Sequence, residues 1–377
     1  MCLKRTTPSS YLMICLWIFN SIRIKTSNLK PQISNLIRTF AAMNHITRID
    51  RWLVGISSVL HFLVDGLCVC CLYLTAWPFT VPNLVAIFVT YNVLAFLTQP
   101  LTGHIADRLH HRHWMQVTSV ALLALAVAWA GVVVMVPSLH TSWGAMMVVA
   151  SLLGIGNSLF HVWGGKQTVI TTGNDIRALG VFVATGAFGL AIGVLFYSWW
   201  LLLLMLLLIC VLTVAYFVLD GSPISHSTFH YLRSTRHHRL STHHLPPTTL
   251  LLVSLAMLAL MSFVAFRSYV GQVFPAGMAK TGEIVLAVGA VSMLGKMAGG
   301  WLAKWIGIVW SLVVAVVITA LCLLLQGQGT PVLFLGLFAI NCTMPVTLYL
   351  ANIVLPGREG LAFGLLAAAL MPGYLLS

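Results

Sequence analysis

The chain has 377 residues, of which 59% are hydrophobic and only 7% are charged. Because soluble domains carry about 25% charged residues, this composition excludes an ordinary soluble protein and indicates an integral membrane protein. The apolar runs are continuous, as in membrane helices of about 20 residues, whereas the strands of membrane barrels are short and alternate in polarity. The net charge is +13, but the basic residues lie in alternate loops, which is the positive-inside pattern. No nucleic-acid partner is therefore expected.

The N-terminal segment 1–50 differs from the rest because it is polar and basic. Its one apolar run, Tyr11 to Phe19, is too short to span a bilayer. Met43 stands just before Arg48 and Arg51, which are expected to anchor the first helix at the cytoplasmic face. We therefore predict that Met43 is the true start and that the preceding residues are an extension.

Eleven apolar spans follow in chain order. Six belong to a first bundle within 51–219 and are predicted at 52–77, 82–104, 114–136, 142–164, 178–197 and 199–219. A polar segment, 220–248, separates them from the spans of 249–377, which are predicted at 249–272, 283–306, 308–327, 331–354 and from 360 to the end. The excess of Lys and Arg on one side places the N-terminus in the cytoplasm of a multi-pass cell-membrane protein, expected in a bacterial inner membrane.

Two groups of residues could ligate metal, and neither predicts a metal site. The segment 220–248 contains six histidines, and a His tract can bind metal, but it has no regular spacing and no carboxylates other than Asp220. A flexible cytoplasmic linker is the simpler interpretation. The run Cys68, Cys70 and Cys71 lies inside an apolar span, where cysteine also serves as a small packing residue. The sequence contains no pattern that predicts a cofactor or an enzyme active site.

Asp65 is the only acid deep within a span of the first bundle. An Asp at the centre of a membrane helix costs about 2.5–3.5 kcal/mol on insertion scales, and such residues usually mark an ion or substrate path. His61 lies four residues earlier, on the same helix face. The pair is a candidate proton site, and the alternative is a structural pair that only satisfies itself.

Three further polar residues stand inside spans. Arg267, in the seventh helix, either holds a partner or an anionic substrate, or snorkels from the outer end of its helix. Lys296 in the eighth helix corresponds to Gln99 in the second at an offset of 197 residues. Both are weaker candidates for the substrate path.

The stretch from Gly154 to Gly165 is predicted to end the fourth helix and contains Phe160 and His161. At a membrane boundary, His161 could be a titrating gate or could cap the carbonyl groups of the helix end. The fifth helix follows with glycines at 180, 186, 189 and 193, a spacing that favours close helix packing.

A charged loop between the second and third helices has the frame Gly103, Asp107, Arg108 and Arg112, and a weaker copy begins at Gly300 and Lys304. This repeated loop resembles the loop 2–3 signature of the major facilitator superfamily. The resemblance implies two six-helix bundles related by duplication, with Asp107 meeting the N-terminus of helix 11 and nearby Arg as part of a gate. On this pattern we expect helix 11 to continue past Ser377 and a twelfth helix to lie beyond the given sequence.

A finer resemblance rests on the stretch from His61 to Asp65, on the Gly-rich stretch around Phe160 and His161, and on the Gly-rich fifth helix. These are similar to the fosmidomycin-resistance branch of the superfamily. The branch implies a transporter that exports small molecules in exchange for protons. The sequence departs from the usual pattern where His110 and His111 replace Gly-Arg and Val162 replaces Pro.

The sequence therefore predicts an all-α, proton-coupled secondary transporter of a small solute of anionic or amphiphilic character, acting by alternating access as a monomer in the bilayer. Drug or metabolite efflux is the expected direction, and the proton gradient is the expected energy source. The alternative is a truncated remnant without transport activity, or a regulatory membrane protein with the same fold.

Overall fold

The computed structural model describes residues 48–76, 78–109, 113–221 and 247–375. The segment up to residue 47, including Met43, lies outside these ranges, as do Arg112 and nearly all of the 220–248 segment. The expectations for the start, for the linker and for Arg112 therefore stay predictions.

The described chain is helical at all eleven predicted spans. The helices are α1 Arg48–Ala76, α2 Val81–Arg108, α3 Trp114–Met135, α4 Trp143–Thr172, α5 Ile176–Leu195, α6 Trp199–Asp220, α7 Pro247–Ala276, α8 Gly282–Ile306, α9 Ile308–Leu324, α10 Thr330–Val354 and α11 Glu359–Leu375. Within the described ranges, nine of these are long and apolar enough to cross a membrane, and α9 and α11 are shorter apolar helices. The prediction of an all-α membrane protein is confirmed.

The predicted end of the fourth helix is wrong. α4 continues to Thr172, so Phe160 and His161 lie inside the helix rather than at its end. Glycine lowers helix stability, but here the glycines permit close packing. A Cβ built at Gly164 would lie 2.7 Å from the Phe182 ring, and one at Gly165 would overlap the ring of Phe363. Tertiary packing therefore overrides the local signal. His161 does not cap the end of the helix, whereas its role as a titrating gate stays a prediction.

Helix contacts reproduce the predicted duplication. In the α2–α11 interface, Cβ atoms built at Gly103 and Gly364 would overlap the backbone carbonyl groups of Gly360 and Gln99. The α5–α8 interface repeats this pattern. Cβ atoms at Gly300 and Gly180 would lie 2.7 Å and 2.9 Å from the carbonyl oxygens of residues 176 and 296. Positions 296 and 300 correspond to 99 and 103 at an offset of 197 residues, and positions 360 and 364 correspond to 176 and 180 at an offset of 184 residues.

Glycine is required at these contacts because it lets two helix backbones approach closely. The two interfaces join the first bundle to the second in the same way, with the roles of the bundles exchanged. The predicted architecture of two pseudo-repeat bundles is confirmed, and it brings α1, α4 and α5 together around the interior polar residues. Most of α1 and α4 is buried, whereas α6 is largely exposed.

Candidate functional site

A buried cluster of three titratable side chains lies where α1 packs against α4 and α5. His61 and Asp65 come from α1 and His161 comes from α4, and all three are at most 8% exposed. The His61 Nε2 atom lies 3.2 Å from Asp65 Oδ2, and the His161 Nε2 atom lies 3.5 Å from Asp65 Oδ1. The predicted pair is therefore part of a triad in which each carboxylate oxygen faces one imidazole.

The other ring nitrogens fix the tautomer of both histidines. His61 Nδ1 donates to the backbone carbonyl of Phe182 at 2.7 Å, and His161 Nδ1 donates to that of Asn157 at 3.0 Å. A carbonyl oxygen can only accept, so each Nδ1 carries a hydrogen. In the neutral rings both Nε2 lone pairs then point at the carboxylate. Each contact becomes attractive only when a proton or another cation lies between nitrogen and oxygen.

Asn157, which the sequence reasoning did not single out, connects this cluster to α2. Its Nδ2 donates to Asp65 Oδ1 and to the Tyr91 hydroxyl, each at 3.0 Å. Tyr91 stands just before a π-helical turn, Val93–Leu97, within α2, and such turns are frequent at functional sites. The only sequence signal was a polar residue between glycines in an apolar helix.

Aromatic rings pack around the two imidazoles. Phe182 stacks on His61 with ring centroids 4.9 Å apart, and Phe160 lies 5.6 Å from the His161 ring. The two imidazoles meet edge to face at 4.5 Å. Phe160 therefore supports the triad through packing. The low-polarity surroundings strengthen the electrostatic interactions inside it.

The second bundle contributes two cations near the triad. Lys296 of α8 lies close enough to Asp65, His161 and Arg267 for their charges to interact. Arg267 of α7 is 6% exposed, so it does not snorkel to the surface, and its Nε has no hydrogen-bond partner in the described part of the chain. Neither cation forms an ion pair within the described ranges, and interior Arg and Lys usually have a partner.

Gln99 lies apart from the triad, in the α2–α11 interface. It is fully buried, and its Nε2 donates to the Ala95 carbonyl at 2.8 Å. A Cβ built at Gly364 would overlap the backbone carbonyl group of Gln99. Its position in this interface supports a packing role.

Asp107 joins α2 to α11, as the resemblance implied. Its two carboxylate oxygens accept hydrogen bonds from the backbone N–H groups of Gly360 at 2.9 Å and Leu361 at 2.8 Å. A negative charge at a helix N-terminus is favourable. The basic partner is Lys166 of α4, whose Nζ lies 3.1 Å from Asp107 Oδ1, whereas Arg108 is exposed. Lys166 was not among the residues predicted for the gate, and the predicted contribution of Arg112, which lies outside the described residues, stays a prediction.

At the α5–α8 interface, which is equivalent to the α2–α11 interface by duplication, the charged residues are arranged differently. Lys304, the counterpart of Asp107, interacts electrostatically with Asp175 at the start of α5. Arg177 donates to Asp175 through its backbone N–H and its side chain. Partial burial opposes the charged form of Asp175, but these hydrogen bonds outweigh it and hold the pKa of the carboxyl below its usual value. In both interfaces, a carboxylate therefore accepts hydrogen bonds from backbone N–H groups at the N-terminus of a helix, α11 in one case and α5 in the other.

Comparison with protein families gives one match over most of the chain: the profile of the Major Facilitator Superfamily matches residues 41–377. The chain belongs to the major facilitator superfamily. Proteins of this superfamily are transporters, so the chain is a multi-pass membrane transport protein and not an enzyme. A comparison with curated protein sequences gives no match.

Solved structures of other transport proteins share the fold. The transporter FucP in the outward conformation is 15% identical, with a TM-score of 0.58 over 86% of this chain and 91% of that one. A variant of the E. coli fucose:proton symporter FucP is 13% identical, with a TM-score of 0.59 over 88% and 91%. A bacterial homologue of the iron transporter ferroportin, in an outward-facing state, is 16% identical, with a TM-score of 0.53 over 88% and 91%.

Gly186 of α5 is expected to control the geometry of the triad. A Cβ built there would overlap Asp65 Oδ2 and lie 2.5 Å from His61 Nε2. Because both are ends of side chains that can rotate, Gly186→Ala should leave the fold intact and separate the pair. We expect at least a tenfold loss of transport in liposomes with an unchanged yield of monodisperse protein. Gly131→Ala in α3, where a Cβ would meet nothing within 4 Å, is the control. Equal transport by both variants would contradict this role.

Proposed function

We propose that this superfamily member is a secondary active transporter that couples the movement of a small anionic or amphiphilic solute to protons. His61 and Asp65 form the proton site, with His161 as its third member. Arg267 and Lys296 hold the solute. The single observation that carries this proposal is the carboxylate that faces two imidazole Nε2 atoms inside the spanning helices.

The proton site follows from hydrogen-bond geometry. With both Nδ1 atoms donating to carbonyl groups, neutral rings present only lone pairs to Asp65, so a shared proton turns repulsion into attraction. Among the described residues, the titratable and charged groups that interact with Asp65 include His61, Cys68, Tyr91, His161, Lys296 and Tyr374. These six groups contain no carboxylate, which favours Asp65 as the centre of the proton site.

The cations of the second bundle support an anionic solute. Arg267 and Lys296 lie within electrostatic reach of each other, and two neighbouring cations repel unless an anion lies between them. Arg matches carboxylate and phosphate groups with two parallel hydrogen bonds. Lys296 also interacts electrostatically with Asp65. Protonation of Asp65 would therefore weaken the attraction between Asp65 and Lys296. This interaction gives a physical route for proton and solute binding to influence each other.

Direction and placement are also part of the proposal. The resemblance to the fosmidomycin-resistance branch supports export in exchange for protons, and the neighbouring fucose:proton symporter supports proton coupling with either direction of solute movement. The positive-inside pattern supports a cell-membrane protein with a cytoplasmic N-terminus. Asp107, Gly103 and Arg108, with Arg112, then form the cytoplasmic gate. A monomer remains the expected state.

The test is transport by the purified full chain in liposomes, with a pH gradient and a panel of small anions. We expect gradient-driven movement of at least one solute. Asp65→Asn should lower this movement by about 100-fold, within the roughly 5–150-fold range of typical coupling between sites. Solute exchange without a pH gradient should persist in the variant, because only the coupling is lost. Glu283→Gln, which changes an exposed acid at the start of α8, is the matched control.

Two outcomes would contradict this function. If the unaltered chain moves no solute from the panel in either direction, the alternative of a transport-inactive protein with the same fold is favoured. If Asp65→Asn retains gradient-driven transport, the proton site lies elsewhere. A loss of gradient-driven transport and of exchange together would indicate a structural role for Asp65.

A further inference from the structure

We propose that the Nε2 atoms of His61 and His161 and the carboxylate of Asp65 form a binding site for a first-row divalent transition-metal ion. The inference uses the side chains of the proposed proton site and rests on the proposed function only for its link to transport. Its primary support is the arrangement of ligand atoms.

The three ligand atoms have the separations that a metal ion requires. They lie within 4.8 Å of one another, and the two direct nitrogen–oxygen distances are 3.2 Å and 3.5 Å. Bonds of about 2.0–2.2 Å to Zn²⁺ put neighbouring tetrahedral ligands roughly 3.3–3.6 Å apart. The two nitrogen–oxygen distances, which run to different oxygens of Asp65, are already close to this range. The limit of 4.8 Å on the remaining separations means that an ion would draw the side chains together by up to roughly 1.5 Å to complete three coordination positions.

The surroundings of the ligands match those of known metal sites. A metal-bound histidine usually donates its other ring N–H to a carbonyl or carboxylate group, which fixes the tautomer and the ring orientation. Both histidines do this through Nδ1, toward the backbone of α5 and of α4. The carboxylate is held in turn by Asn157. Both Nε2 lone pairs are thus already oriented toward the same carboxylate group, one toward each of its oxygens.

Ligand type selects the class of ion. Two imidazoles and one carboxylate suit Zn²⁺, Co²⁺, Ni²⁺ or Fe²⁺, whereas Ca²⁺ and Mg²⁺ prefer oxygen ligands throughout. Three protein ligands also leave coordination positions open for water or for an anionic solute.

Charge explains how a cation could bind close to Lys296 and Arg267. With two neutral rings and an ionised Asp65, a divalent ion gives the triad one net positive charge. The charge of Asp65 thus offsets half of the charge of the ion. Metal binding at this site is expected to release protons, as it does wherever ligands must be deprotonated.

The experiment must separate this site from the histidines of the 220–248 segment. The full chain is purified with a tag that contains no histidine, in a background in which the six histidines of that segment are replaced by glutamine. Co²⁺ is the probe, because its visible absorption reports coordination geometry and its titration gives stoichiometry. We expect one Co²⁺ per chain, displaced by Zn²⁺ and not by Mg²⁺.

The variant His161→Gln should lower Co²⁺ affinity by at least about 100-fold, the upper limit of what losing an outer-shell partner costs. His104→Gln, which changes a histidine of α2 outside the triad, should leave it unchanged. If His161→Gln does not fold, Asp65→Asn provides the same test. Absence of stoichiometric binding in the six-glutamine background, or binding that survives both triad variants, would overturn the inference.

The result is independent of the transport assay. Co²⁺ binding that requires His161, in a chain whose solute movement ignores the pH gradient, would sustain the metal site and refute the proposed function. Proton-driven transport that requires Asp65, without any Co²⁺ binding, would sustain the proposed function and refute the metal site.

Discussion

Gly189→Ala is expected to destabilise the protein by about 3 kcal/mol or more, the upper end of the usual range for overpacked cores. A Cβ at Gly189 in α5 would overlap the backbone carbonyl of Phe62 in α1. A backbone carbonyl group cannot rotate away, so α1 and α5 would have to separate. That separation would disturb the contact between the helices that hold the triad.

Unfolding of the purified protein in mixed micelles measures this effect. Gly131→Ala is the matched control, since it adds the same methyl group to a helix position with nothing within 4 Å and isolates the gain in helix propensity of up to about 1 kcal/mol. Gly186→Ala, one turn away on α5, should unfold like the unaltered protein. Equal stability of Gly189→Ala and Gly131→Ala against unfolding would contradict the close contact between α1 and α5.

Asp107→Asn is expected to shift the protein toward a state in which α2 and the start of α11 separate. The substitution removes the charge that Lys166 and the N–H groups of Gly360 and Leu361 share. Hydrogen bonds to charged groups contribute about 1.5–3 kcal/mol each, and asparagine retains one acceptor. A net loss of about 1.4–2.8 kcal/mol corresponds to a 10- to 100-fold shift in the equilibrium.

Spin labels at the exposed positions Leu109 and Pro356, at the ends of α2 and α10 beside this contact, measure the separation. The eight native cysteines are replaced first. We expect a longer-distance population to grow in Asp107→Asn and to grow further in Asp107→Ala, which retains no acceptor. Glu283→Gln is again the control, because it removes an exposed acid from the first turn of another helix. Identical distance distributions in all four proteins would exclude a gating role for Asp107.

The sequence by itself predicted that the chain is a membrane protein, where its apolar helices lie and that its two halves are related by duplication. These follow from composition and periodicity: a bilayer requires long apolar helices whatever their packing, and a duplicated chain retains its loop frame. The correspondence between Gly103 and Gly300 is visible in the printed residues, whereas the approach of α2 to the start of α11 was implied only by the resemblance to the superfamily. The His61–Asp65 pair was also readable, because residues four apart share a helix face.

Only the tertiary structure placed His161 beside that pair. Helix propensity puts a boundary at Gly164 and Gly165, and that boundary moves His161 to the membrane edge. The rings of Phe182 and Phe363 pack against these glycines, and Lys166 finds acceptors in Asp107 and the Ala106 carbonyl, the latter at 2.6 Å. These partners come from α2, α5 and α11, which are distant in sequence.

The same reason applies to Asn157 and to the cations. Neither the link from Asn157 to Tyr91 nor the approach of Lys296 to Asp65 has a local signal, because each joins helices whose relative rotation is set by packing. The sequence determined which polar residues enter the membrane. The fold decided which of them meet, since a polar group buried in an apolar interior is stable only beside a partner, and the partners are brought together by contacts between the bundles.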